Sequence, residues 1–94
     1  MEPWIKRVID FTDCKSIYDL HEVVMKELEF PDFYGRNLDA MWDCVTGMMY
    51  TPADITVRGI SNPNPFVAEK IQGMIEVFKD AEIMYKKIRL HIEE

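Results

Sequence analysis

Three short segments with β-strand patterning alternate with three segments of helical periodicity, and this order constrains the fold most strongly. The strand-like segments are residues 5–11, 54–58 and 88–93. Strands separated by helices are typical of right-handed βαβ crossovers, which build parallel sheets. Because Ile88, Leu90 and Ile92 alternate with polar residues, one sheet face should be at least partly solvated. We predict one two-layer α/β domain over residues 1–94, with a three-stranded parallel sheet and helices packed mainly on one face.

Each helical segment follows a residue that caps helices well. Ser16 precedes the first helix, with an acid three residues later as in a capping box. Asn37 precedes a second helix over about residues 38–48. Asn64 is followed by Pro65, and we predict that Asn64 is the N-cap and Pro65 the first residue of a long third helix. The predicted apolar face of the first helix is Ile17, Leu20, Val24 and Leu28.

The net charge of −6 is concentrated in the middle of the chain. Residues 19–54 hold eight acidic side chains and two basic ones, whereas the flanking segments are balanced. Nucleic-acid binders need a basic surface to neutralise phosphates, and membrane-surface helices need Lys or Arg on their polar face. The charge therefore argues against direct binding of nucleic acid or membrane, and it favours a basic protein partner.

Other sequence features predict a cytoplasmic protein without a metal or cofactor. Cys14 and Cys44 are 30 residues apart, which fits no CxxC or zinc-binding spacing. No run reaches the roughly 20 apolar residues that span a bilayer, and the N-terminus lacks the apolar stretch of a signal peptide. Two cysteines without a disulfide framework are typical of a reducing compartment.

The segment 38–48 separates an apolar face from an acidic one on a helical wheel. The predicted core stripe is Leu38, Met41, Val45 and Met48. Asp39 and Asp43 lie on the opposite face, where like charges four residues apart destabilise a helix by about 0.2–0.5 kcal/mol. Trp42 lies on the border between the faces, and the rings of Phe33 and Tyr34 precede the helix. Large rings beside unpaired carboxylates are typical of a docking surface, because aromatic anchors and desolvated charges dominate interface hot spots.

At these residues the chain resembles the barstar family, intracellular inhibitors of barnase-type ribonucleases. The resemblance is carried by residues 16–21, 26–28, 31–47 and 77–81. It implies a small α/β domain with a three-stranded parallel sheet, which agrees with the pattern described above. It also implies an activity, namely that the protein blocks a ribonuclease by plugging its active site.

The resemblance further implies roles for individual residues. Asp43 would mimic a substrate phosphate against basic groups of the enzyme, supported by Asp39. The position of Tyr34 would give a ring contact, and Asp80 would reach the enzyme from the last helix. The other residues implied at the contact surface are Phe33, Gly35, Asn37, Leu38, Trp42, Thr46 and Gly47. The chain departs from the family pattern at Phe33, Arg36, Met48 and Asp80, which leaves the identity of the target enzyme open.

Our leading hypothesis is a non-enzymatic inhibitor, an antitoxin or immunity protein that is monomeric when free and binds a barnase-like ribonuclease. One alternative is a module of the same fold that binds another basic protein or a different toxin nuclease. A third hypothesis is a hydrolase or metal site built on Asp39 and Asp43. Two carboxylates on one helix, with no His or third acid at ligand spacing, support it weakly.

Overall fold

The computed structural model describes residues 3–93 and contains a three-stranded sheet with three helices. The elements are β1 (Ile5–Asp10), α1 (Ile17–Leu28), α2 (Leu38–Gly47), β2 (Ala53–Arg58), α3 (Pro65–Met84) and β3 (Ile88–Ile92). The strands are ordered β1-β2-β3, and both neighbouring pairs are parallel. The predicted α/β class and parallel sheet are confirmed. None of the helices within residues 3–93 is long and apolar enough to cross a membrane.

The two faces of the sheet differ in burial, as the alternation in the sequence predicted. Ile9, Ile55 and Val57 are fully buried and belong to one hydrophobic cluster that includes residues from all three helices. On the opposite face, the side chains of Lys6 and His91 are exposed. All three helices therefore cover one face of the sheet, and the other face is open to solvent.

Each helix begins at the predicted capping residue. The Ser16 hydroxyl oxygen accepts a hydrogen bond from the Asp19 backbone N–H at 3.1 Å, and Asn37 Oδ1 accepts from the Ala40 N–H at 2.8 Å. Asn64 Oδ1 accepts from the backbone N–H groups of the first turn of α3. The caps satisfy donors that have no partner inside the helix, so the sequence sets these boundaries locally.

The end of α2 corrects one prediction about the core. Met48 was expected in the core stripe, but it caps the helix and is 52% exposed. The regular helix ends at Gly47, because the N–H groups of Met48 and Met49 both donate to the carbonyl oxygen of Cys44 and the helical periodicity of the side chains stops there. Met49 is the residue that turns inward and is buried. Ile17, at the first position of α1, is likewise more exposed than predicted.

Both outer edges of the sheet are covered at mid-strand by a glutamate from a helix. The N–H groups of odd-numbered β1 and β3 residues point towards β2, as shown by the bonds from Phe11 N to Arg58 O and from Glu93 N to Val57 O. The N–H groups of even-numbered residues in these two strands therefore point away from the sheet, towards its outer edges. Two of these outward-facing N–H groups bind a helix glutamate: Val8 N–H donates to Glu27 at 3.3 Å, and Leu90 N–H donates to Glu82 at 2.7 Å. Covered edges discourage pairing with another chain.

Candidate partner-binding surface

The loop before α2 places two consecutive aromatic rings on opposite sides of the chain. The Tyr34 backbone N–H donates to the Pro31 carbonyl at 3.0 Å, which closes a turn around Phe33. Phe33 is 75% exposed, whereas Tyr34 is 3% exposed. The turn thus presents one ring to solvent and buries the next.

Tyr34, which was expected to give a ring contact with the partner, is buried in the described chain. The Tyr34 hydroxyl lies 2.7 Å from Nδ1 of His21, and its ring packs against Phe30 with centroids 5.1 Å apart. Burial raises the pKa of Tyr34 and lowers that of His21, since both charged forms lose hydration. In this conformation Tyr34 anchors the loop to the core, and Phe33 is the ring that faces solvent.

Arg36 is held against α1. Its backbone has φ of 51°, and its guanidinium forms an ion pair with Glu22 at 3.1 Å. The same group donates to the carbonyl oxygen of Tyr34 at 3.4 Å and lies over the ring of Tyr18. The basic residue nearest to α2 in sequence is therefore partly neutralised by a neighbouring helix.

Asp39 and Asp43 are both exposed on α2. Among residues 3–93, neither carboxylate has an ion-pair partner, and the side chains that could bind a metal do not cluster in groups of three or more. Asp39 lies in the first turn, where the helix dipole favours an anion, and Asp43 lies one turn further on. The helix thus presents two carboxylates whose charge is balanced by no neighbour within the described chain.

Asp80 on α3 lines a groove with Trp42 of α2. Ile83 and Met84 complete this groove, which has a volume of about 330 Å³. Trp42 is half-buried and packs partly against the core. Tertiary structure therefore brings together two residues that are 38 positions apart in sequence and that were both expected at the contact surface.

The start of α2 packs closely on α3. Leu38 approaches Gly73 so tightly that an added Cβ on the glycine would lie 3.1 Å from the leucine Cδ1. Leu38 is consequently half-buried and supports the position of the helix. Its role in the described chain is packing between the two helices, with only part of its side chain at the surface.

The remaining expected residues differ in what the fold requires of them. The Thr46 hydroxyl donates to the Trp42 carbonyl at 2.7 Å, so it is engaged within the helix. Asn37 is exposed but uses its side chain as a cap. A Cβ on Gly35 would lie 3.3 Å from the Ala40 Cβ, which is tight. Apart from its chain neighbours and the backbone of its own helix, a Cβ on Gly47 would meet no heavy atom of the described chain within 4 Å.

Two exposed residues beside this surface were missed by the sequence reasoning. Ile83 and Met84 follow Asp80 by three and four positions, so they share its helix face. Their spacing of three and four residues from Asp80 could have indicated this. The sequence analysis considered only the core-facing apolar stripe of α3 and not a second apolar face. Cys44 on the inner side of α2 is buried, and desolvation raises the pKa of its thiol.

Comparison with known proteins identifies the family of the chain. The family model described as "Barstar (barnase inhibitor)" matches residues 4–93, and the chain therefore belongs to the barstar family. The chain is also similar to a protein of Bacillus subtilis (strain 168) named "Putative ribonuclease inhibitor YrdF". The two are 38% identical over 77 residues, which cover 82% of this chain and 85% of that relative.

Proposed function

We propose that this protein inhibits a barnase-type ribonuclease by inserting α2 and its preceding loop into the basic catalytic cleft. Membership of the barstar family and the name of the Bacillus relative support ribonuclease inhibition. The observation that carries the proposal is the pair of exposed carboxylates, Asp39 and Asp43, which form no ion pair within the described chain. A helix face of this kind is complementary to a positively charged partner surface.

In this proposal the carboxylate of Asp43 takes the place of a substrate phosphate. A ribonuclease cleft holds Arg, Lys or His side chains where the scissile phosphate binds, and a carboxylate offers them acceptor oxygens of the same sign. Asp39 adds a second negative charge one turn away, and Asp80 adds a third from α3. The inhibitor then acts by occupying the cleft in a 1:1 complex and performs no catalysis.

The folded loop keeps this face negative and rigid. Arg36 is paired with Glu22, which limits its ability to neutralise the acids of α2. The buried Tyr34 fixes the loop, so Phe33 already faces outwards before the partner binds, and the loop does not have to become ordered on binding. Preorganisation reduces the entropy lost on association, and the negative field accelerates encounter with a basic enzyme.

The test is an RNA-cleavage assay with barnase and a panel of further barnase-type ribonucleases, each titrated with the purified chain. We expect complete inhibition of at least one enzyme at a 1:1 ratio, with competition by substrate RNA. A basic protein without nuclease activity, such as lysozyme, controls for binding by charge alone. If lysozyme binds as tightly as the best enzyme, or if no enzyme is inhibited, the proposal fails and the partner is a different basic protein.

A further inference from the structure

The open face of the sheet carries charged residues in two ordered rows, which the proposed inhibitory surface does not use. Side chains alternate along each strand, and the register of the parallel pairs aligns those of the open face into rows across the sheet. The row near the start of the strands has the charges plus, minus, plus and consists of Lys6, Asp54 and Arg89. The row near their end has the charges minus, plus, minus and consists of Asp10, Arg58 and Glu93. The two ends of the face therefore carry opposite charge patterns.

Contacts within the face position these side chains without cancelling the pattern. Nε2 of His91 lies 2.8 Å from a carboxylate oxygen of Asp54, and the guanidinium of Arg89 lies 3.8 Å from the centroid of the Trp4 ring. Glu93 directly follows β3, and its carboxylate lies 3.1 Å from Nε of Arg58. Because three charges alternate in each row, one row keeps an excess positive charge and the other an excess negative charge. The complement of this face is a surface with the same pattern in the reverse direction.

We propose that this face binds a second copy of the chain, with the two sheets face to face and their strands antiparallel. A two-fold axis that lies between the sheets, perpendicular to the strands, places each charged row over the opposite row of the second copy. Every charge then faces an opposite one: Lys6 faces Asp10, Asp54 faces Arg58, and Arg89 faces Glu93. In the row between them each residue meets its own counterpart, so Val8, which is 42% exposed, gains an apolar contact.

The charges select this arrangement over the other two-fold arrangement of the same faces. An axis parallel to the strands would place β1 over β3 of the second copy, so Lys6 would face Arg89 and an acid would face an acid at the other end. Like charges in contact disfavour association. Packed sheets keep their strand directions within about 30° of each other, so opposite charges stay near one another in the antiparallel arrangement despite the twist.

The size of the face predicts a weak dimer. Three strands of five or six residues cover about 14 Å by 20 Å, which is well below the roughly 800 Å² that each partner buries in a standard interface. We therefore expect a dissociation constant of about 0.1–1 mM, with weaker association at high salt. The monomer expected for the free protein is then its state at low concentration. All three helices cover the other face of the sheet, so α2 stays accessible and each copy in the dimer can bind one enzyme.

The experiment measures sedimentation equilibrium up to about 1 mM protein, at low salt and at about 0.5 M salt. The variants Asp54→Arg and Arg58→Asp each create like charges between positions 54 and 58 of the two copies, so each alone should self-associate at least about tenfold more weakly than the wild type. An equimolar mixture of the two variants should associate at least as tightly as the wild type, because positions 54 and 58 again carry opposite charges in the mixed pair. The control Glu69→Arg reverses an exposed acid on α3, in the helical layer, and should associate like the wild type.

Three outcomes would overturn the proposal. A wild-type chain that stays monomeric at about 1 mM and low salt does not use this face for a second copy. Self-association that neither reversal weakens occurs through another surface, such as a sheet edge. Weak association of both variants without recovery in the mixture contradicts the antiparallel arrangement. Urea denaturation verifies that each variant is folded, and ribonuclease inhibition is measured separately, so the proposed function is judged independently of the dimer.

Discussion

The phenol oxygen of Tyr34 and Nδ1 of His21 lie 2.7 Å apart in the core, which joins the loop before α2 to the middle of α1. Both residues are almost completely buried. A buried polar pair of this kind favours one loop conformation, because separating the partners would leave an unsatisfied polar group in the core. The contact determines which way the loop faces, and it leaves the neighbouring Phe33 exposed.

Removal of the Tyr34 hydroxyl tests this contact. We expect Tyr34→Phe to lower the free energy of unfolding by about 1–3 kcal/mol, because His21 stays buried without its partner. The matched control is Phe33→Tyr, which adds a hydroxyl to an exposed ring and should change stability by less than about 0.5 kcal/mol. Urea denaturation measures both. Equal losses in the two variants would contradict a special role for the buried pair.

The titration of His21 should make stability depend on pH. Burial lowers the native pKa of His21, and the charges of Lys70 and Arg36 lower it further. The unfolded chain, with a His pKa of about 6.5, therefore binds the proton more readily than the folded chain. The free energy of unfolding should fall as the pH decreases through about 6.5 towards the lower native pKa.

The variant His21→Gln isolates this contribution, since the amide keeps a hydrogen-bonding group but does not titrate. Urea denaturation from about pH 8 to pH 5 should show a shallower loss of stability for the variant than for the wild type. The carboxylates titrate in both proteins, so the difference between the two curves reports on His21. Parallel curves would show that His21 does not titrate differently in the folded and unfolded states.

Asp43 should contribute most to binding under the proposed function. We expect Asp43→Ala to weaken the complex by about 2–5 kcal/mol, because it leaves desolvated cations of the enzyme unpaired. The control is Asp13→Ala, the same chemical change at an exposed acid of the β1–α1 loop, and it should leave affinity unchanged. Calorimetric titration measures both. A loss below about 1 kcal/mol would place Asp43 on the rim of the interface.

Substitutions of Gly47 should affect stability and partner affinity differently. A side chain there meets open space within the described chain, and most residues are better helix formers than glycine. We expect Gly47→Ala and Gly47→Leu to unfold at the same or higher urea concentration than the wild type. If the enzyme approaches this position closely, affinity should fall modestly for Ala and at least about tenfold for Leu. Unchanged affinity for Leu would exclude Gly47 from the contact.

Glu82 should protect β3 from pairing with another chain. The variant Glu82→Ala frees the outward-facing Leu90 N–H, and we expect increased self-association at high protein concentration. Glu82→Gln keeps an acceptor oxygen and should self-associate less. Because water can replace the lost bond at an exposed edge, stability should fall by less than about 1 kcal/mol. Sedimentation velocity over a range of concentrations tests the expectation, and identical behaviour of all three proteins would refute it.

The local features of the fold could be predicted from the sequence. Ser16, Asn37 and Asn64 cap the three helices as expected, because a cap is a contact within four residues and needs no tertiary partner. The alternation in residues 88–93 correctly indicated that one sheet face is open. The acidic face of α2 was likewise visible, since Asp39 and Asp43 are related by helical periodicity alone.

The surroundings of those residues could not be predicted, because they depend on distant parts of the chain. The order of the elements, the helix starts and the spacing of the two acids follow from local patterns of residues. That Tyr34 turns inward to His21 while Phe33 turns outward, and that Trp42 shares a groove with Asp80, depends on how the elements pack together. Periodicity and capping act within one element, whereas the burial of a side chain is set by the other elements that pack against it.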